Sequence, residues 1–194
     1  MVQQRATQRL SFRAVSRLIL ALSLVLACAM TLAPAPVLAV LNDDHYDGNI
    51  FPLYAGNGYL VPPRVSLADS FKRPNPTLLV LYVDDSKDCK QFAPIVSQLD
   101  AYYGRVTDFL PISIDMLPPK DHYEPNEPGY YYKGVVPQTV LFDQSGKVVL
   151  NEEGVISFEK IDDAFRKVFD LLPREKSVEL RRRSVNEINT ELVR

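Results

Sequence analysis

Thr77 to Val83 is an unbroken run of apolar and β-forming residues, and it constrains the fold more than any other part of the chain. Such a run reads as a central strand buried on both faces, as in parallel sheets. Its surroundings supply the cover. Ser66–Phe71 has the look of a short capped helix on the N-terminal side. On the other side Asp84–Asp88 forms a polar turn, with Asp85, Ser86 and Asp88 all able to cap a helix. From Cys89 to Tyr103 the residues Phe92, Ile95, Val96 and Leu99 recur at helical spacing, and Gly104 stops the pattern. Pro94 lies inside that helix, where it predicts a kink.

Further along, Phe109–Asp115 alternates as a second strand does, and Leu117–Gly129 is a proline- and charge-rich loop with no period. Val135–Phe142 is a third strand, Asp143–Gly146 a hairpin turn, and Lys147–Asn151 the partner strand. Phe158–Leu172 is an amphipathic helix broken by Pro173. The order β-α-β-loop-β-β-α sets a parallel pair beside an antiparallel hairpin. The expected organisation is an N-terminal segment at 1–39, an irregular extension at 40–66, an α/β domain at 67–173 and a charged, partly helical tail at 174–194.

The N-terminal segment reads as an address. Arg5, Arg9, Arg13 and Arg17 precede an apolar run from Leu18 to Leu32, and Val37-Leu38-Ala39 follows Pro34 and Pro36. A basic region, an apolar region and small residues form a secretory signal cleaved after Ala39. Retention as a membrane anchor is the second reading, and Cys28 as a lipid acceptor in a loose lipobox is the third. All 24 acidic residues lie beyond residue 39, so the remainder is acidic, which argues against nucleic-acid binding. Only Cys89 lies outside the segment, so removal of the segment leaves no intramolecular disulfide. Asp43–Gly48 superficially suggests a calcium loop but fails, with His45 at a ligand position and Tyr54 where the closing glutamate belongs. His45 and His122 read as solvated loop histidines.

The order of elements, the helix opening on Cys89 and the proline before the hairpin resemble the thioredoxin superfamily over roughly residues 67–172. Asp85-Ser86-Lys87-Asp88-Cys89-Lys90 stands where that family has Trp-Cys-Gly-Pro-Cys-Lys, with Pro94 at its helix proline. Val136-Pro137-Gln138-Thr139 stands for its cis-proline loop and Gly146 for its hairpin glycine. The resemblance implies an α/β, three-layer thioredoxin-like fold around a central mixed sheet. It also implies a lost activity. Ser86 holds the first cysteine's place, and a hydroxyl cannot take part in thiol–disulfide exchange. The family's buried acid falls on Val80, and Asp85 and Asp88 disfavour a thiolate at Cys89. Dithiol turnover is therefore not expected, and Ser86, Cys89 and Pro137 read as a vestigial motif.

Asp44–Phe51, Leu53–Gly58 and Leu60–Pro63, followed by the serine-substituted motif, are similar to one narrower group. These are the cyanobacterial thioredoxin-like thylakoid membrane proteins described as photosystem I accumulation factors. That resemblance implies a lumen-side thylakoid location, or another exported side as the fallback. It further implies a non-catalytic role in building or maintaining photosystem I, with its subunits or assembly proteins as partners. No cofactor or metal is expected. The alternative is a monothiol redox protein or sensor acting through Cys89. The expected partner face is Tyr130, Tyr131, Tyr132, Val136 and Pro137, because interface cores favour tyrosine and the family binds extended peptides beside its cis-proline. The competing expectation is that the tyrosines pack the loop onto its own domain.

Overall fold

The computed structural model describes residues 2–31 and 40–177 of the chain. Ala39, after which cleavage is expected, and the tail beyond residue 177 lie outside them. The chain divides into two units, Met1–Leu38 and Ala39–Arg194. The described residues of the first form one helix, α1 (Val2–Thr31), with Leu18, Ile19, Leu22 and Val25 exposed. Among the described residues no helix is long and apolar enough to cross a membrane.

The second unit is built on a four-stranded sheet in the order β2-β1-β3-β4, with β1 Thr77–Tyr82, β2 Asp108–Ser113, β3 Gln138–Phe142 and β4 Val148–Glu153. β1 pairs parallel with β2 and antiparallel with β3, and β3 pairs antiparallel with β4. All six residues of β1 are buried, as a strand covered on both faces must be. The helices are α2 (Ile50–Tyr54), α3 (Leu67–Ser70), α4 (Lys87–Tyr103) and α5 (Phe158–Val168). Each is opened by a side chain that accepts a backbone N–H: Asn49, Ser66, Ser86 and Ser157.

The alternation of a strand sorts the core into two halves. Leu78, Val80 and Tyr82 point into one, with Phe92, Val96 and Leu99 of α4, Ile161 and Phe165 of α5, and Ile50 and Phe51 of α2. Leu79 and Leu81 point into the other, with Leu67 of α3, Leu110, Val140 and Phe142. The second face has little helix over it. Tyr131 and Tyr132, from the long β2–β3 connection, complete its cover. Tyr131 meets Phe142 edge to face at 4.9 Å between ring centres, and its hydroxyl donates to the Pro125 carbonyl at 2.7 Å. The three-layer, mixed-sheet, thioredoxin-like arrangement is the fold of this unit.

Several element ends differ from the sequence expectation. α4 starts at Lys87, two residues before Cys89, because Ser86 caps it. β3 starts at Gln138 and not Val135, because Pro137 has no N–H to give the ladder. α5 ends at Val168 and not Leu172: Asp170 turns to φ +52° and the Leu171 N–H returns to the Arg166 carbonyl. The start of the tail is tied down, since Arg174 and Arg166 both bind Asp162, a buried carboxylate that also accepts from the Tyr103 hydroxyl. The stretch 40–66 does more than lead in, for Ile50, Phe51 and Leu60 sit at 4 % exposure or less in the core.

Phe51 therefore behaves as a core residue of the domain. Phe51→Ala should lower the urea-unfolding free energy of the full chain by about 3–5 kcal/mol. A loss under about 1 kcal/mol would mean that α2 rests on the domain without belonging to it.

Candidate functional site

Ser86 and Cys89 sit where β1 runs into α4. Ser86 keeps an extended backbone (φ −97°, ψ 126°), and its hydroxyl accepts from the Cys89 N–H at a long 3.4 Å. The first helical N–H, that of Lys87, is taken by Asp44 at 2.9 Å. A helix N-terminus favours negative charge through its unpaired N–H groups. Here the hydroxyl of Ser86 and the carboxylate of Asp44 already occupy two of those groups.

Cys89 is 1 % exposed. Burial pushes its thiol pKa up and outweighs the opposing hydrogen bonds from the Val83 backbone and Ser86, and the charges of Asp88 and Asp85 add a smaller upward push. A covered thiol with a raised pKa is a poorer nucleophile and metal ligand than an exposed thiolate. Val80, 2 % exposed, places no proton acceptor beneath it.

What covers this end of the sheet is the chain's own segment 40–57. The Ile50 N–H donates to Asp84 at 3.0 Å, and the Asn49 amide donates to the Tyr82 hydroxyl at 2.9 Å. Burial pushes the Tyr82 phenol up to about 12. The segment is clamped at Lys90, the residue after Cys89. Its ammonium is fully buried and donates to Asp47 at 2.8 Å, Asp43 at 2.9 Å and the Val40 carbonyl at 3.0 Å. Tyr54 lies 5.5 Å from it and donates its hydroxyl to Asp47. Burial alone would lower the Lys90 pKa, but hydrogen bonds to Asp47 and Asp43 outweigh it and hold the ammonium above its ordinary range. The hydrogen bond from Lys90, followed by that from Tyr54, holds Asp47 down at about 2. The failed calcium loop of the sequence is thus the counter-ion of a buried lysine. Among the described residues no acid, histidine or cysteine group could hold a metal.

The Val136–Pro137 peptide bond is cis. Leu81 pairs with Gln138, so Pro137 lies at the same end of the sheet as the turn that follows Tyr82. Pro137 is buried and Val136 half-buried, while Val135 just before them is 43 % exposed. The sequence places Gln138 in the cis-proline loop but gives it no role of its own. This fully buried side chain donates to the Tyr131 carbonyl at 2.6 Å and to Asn151 at 2.8 Å, and accepts from the Lys133 N–H at 2.9 Å. It fixes the loop that delivers the tyrosines. Of these, Tyr131 and Tyr132 pack on the second core face and Tyr130 is 50 % exposed. The exposed residues at this end are Tyr130, Lys133, Gly134 and Val135.

The clamp has a pH signature. Asp47 binds its proton more weakly folded (about 2) than unfolded (3.8), so its contribution is complete above about pH 4 and is lost as pH falls through 4 to 2. Lys90 is raised, so its contribution holds below about pH 10.5 and fails above. In Lys90→Met the melting temperature at pH 7 should fall by about 5 °C or more, since an unpaired buried carboxylate remains. The variant should also lose the wild-type drop between pH 4 and 2. Matching melting-versus-pH curves for the two proteins would contradict the clamp.

No family model matches the chain. It is 55 % identical over 156 residues to the thylakoid membrane protein slr1796 of Synechocystis sp., an overlap of 80 % of this chain and 78 % of the relative. Among solved structures, a malarial protein shares 13 % identity with a TM-score of 0.40, over 48 % of this chain and 96 % of its own. Mitochondrial thioredoxin 3 of Saccharomyces cerevisiae, in its oxidised form, shares 16 % identity with a TM-score of 0.39, over 54 % of this chain and 86 % of its own.

Proposed function

Because the chain belongs to the family of the Synechocystis thylakoid membrane protein slr1796, we propose that it is a non-catalytic thioredoxin-like binding module at the thylakoid membrane. Its proposed site is the lumenal face, and its proposed task is the assembly or maintenance of photosystem I. The observation that carries the non-catalytic part is the state of Cys89. It has Ser86 in place of a partner thiol, is 1 % exposed and is pushed toward the protonated form. The photosystem I part rests on the likeness of the Asp44–Pro63 segment and the serine-substituted motif to the accumulation-factor group.

Binding needs none of the lost chemistry. An extended peptide can pair with backbone groups at a sheet end whether or not a thiol stands beside it. The exposed strip from Tyr130 to Val135, held rigid by Gln138, offers an aromatic ring and backbone groups next to Pro137. A loop already fixed loses little entropy on docking. Tyr131 and Tyr132 support that strip from beneath, and Val136 and Pro137 fix its end.

Two experiments test the reading. The full chain should leave insulin disulfides intact where an ordinary thioredoxin reduces them. Ser86→Cys should restore at most weak turnover, because Val80 and the burial of Cys89 remain. Robust turnover by the unmodified protein would establish the redox alternative. For the partner face, crosslinking in intact thylakoid membranes should capture photosystem I subunits or assembly proteins. Tyr130→Ser should weaken capture with the melting temperature unchanged, whereas Tyr131→Ser should cost about 1–3 kcal/mol of stability. Undiminished capture by Tyr130→Ser would move the face elsewhere.

A further inference from the structure

Residues 40–177 carry more acids than bases and contain five arginines: Arg64, Arg73, Arg105, Arg166 and Arg174. Two of them, Arg166 and Arg174, are committed to Asp162. The other three line one cleft of about 380 Å³, a volume within the range of ligand sites. Arg73 pairs with Asp108 at 3.1 Å, and Arg64 stacks over the exposed ring of Tyr59 at 5.2 Å. Arg105 makes no ion pair or hydrogen bond among the described residues. Arg64, Arg73 and Arg105 are exposed, and the lining also holds the buried polar residues Asp100 and Thr107. Asp100 is 9 % exposed and is held by the Asn57 amide at 3.3 Å; Thr107 is 5 % exposed. Thr107 Oγ1, Asp108 Oδ2 and Asn57 Oδ1 are buried with no hydrogen-bond partner. Two of these atoms, Thr107 Oγ1 and Asp108 Oδ2, belong to the cleft lining, and the third is on the residue that holds Asp100, a cost that folding does not explain.

The cleft lies at the end of the sheet remote from Ser86. Asp108 pairs with Thr77 at the start of the parallel strands, and Ser86 follows their finish at Tyr82. It is therefore a different surface from the strip beside Pro137.

We propose that this cleft is a second binding site, and that its ligand is an acidic peptide segment of a partner protein. The carboxylates of the segment pair with Arg64 and Arg105 at the rim, in the forked geometry that guanidinium groups favour. Its backbone N–H groups face the carboxylates of Asp100 and Asp108. This distribution selects against a compact anion. Phosphate or an anionic lipid headgroup would meet the arginines but would set its charge against those two aspartates, without the run of backbone N–H donors that a peptide offers them. The exposed ring of Tyr59 gives the chain of such a peptide an apolar contact.

The test uses the full chain and fluorescein-labelled hexaglutamate as the probe, read by fluorescence anisotropy at low salt. Arg64 and Arg105 are exposed and outside every ion pair described, so Arg64→Gln with Arg105→Gln should keep the fold. That double variant should bind the probe about fivefold or more weakly than the wild type. A charge-matched control, Lys72→Gln with Lys147→Gln, should bind as the wild type does. No binding by the wild type, or equal weakening in the two double variants, would overturn the proposal. In a second arm, vesicles containing anionic lipid are added. Arginine-dependent vesicle binding that hexaglutamate does not compete away would overturn it in favour of a lipid headgroup. Because Tyr130 lies elsewhere, Tyr130→Ser should leave probe binding unchanged, which separates this site from the partner face proposed above.

Discussion

The buried ammonium of Lys90 is the interaction on which the rest of this domain's behaviour turns. A cation removed from water must be met by charge and hydrogen bonds or the fold does not hold it. Asp43, Asp47 and the Val40 carbonyl meet it, and all three come from the segment that precedes the sheet. Replacing such a cluster with apolar residues can be neutral for net stability, so its value here lies in register. With Lys90 fixed in the first turn of α4, its three acceptors hold residues 40–47 against the helix. That placement lets Asp44 reach the Lys87 N–H and Asp84 receive the Ile50 N–H. The same placement carries Ile50 and Phe51 into the core and closes the chain over Cys89.

The central sheet was legible in the sequence because its signals are local. Thr77–Val83 has apolar residues on both faces, and the Phe92, Val96 and Leu99 spacing has only one helical solution. Ser86 was recognisable as a cap from the polar turn around it. The clamp was not legible, because nothing in a single sequence pairs Lys90 with aspartates more than forty positions earlier. The Asp43–Gly48 cluster invited a calcium reading, and only its failed ligand positions pointed away from one. Gln138 was passed over for a similar reason. A glutamine at the start of an apolar strand carries no periodic signal, yet buried it satisfies three groups of its neighbours. The tyrosines had two readings in sequence, packing or display. Adjacent residues divide between them: Tyr130 is displayed, while Tyr131 and Tyr132 cover a sheet face that has little helix of its own.

These features fit together chemically. A thioredoxin active site works by exposing a thiolate at a helix N-terminus beside an open cis-proline loop. In this chain the helix N-terminus is occupied by Asp44 and Ser86, and the surviving thiol is buried with its pKa raised. The cis-proline loop remains, with an exposed strip before it. At this end of the sheet the thiol is buried while the strip before the cis-proline stays exposed, the arrangement from which the binding-module proposal starts.

The most direct test of this account is the reactivity of Cys89 toward a small alkylating reagent at neutral pH, mapped by mass spectrometry so that Cys28 is scored separately. With the segment 40–57 clamped in place, Cys89 should react on the order of a hundredfold more slowly in the native chain than in urea. A native Cys89 alkylated as fast as the unfolded thiol would contradict the account, since the motif would then be open and its thiol available for redox work.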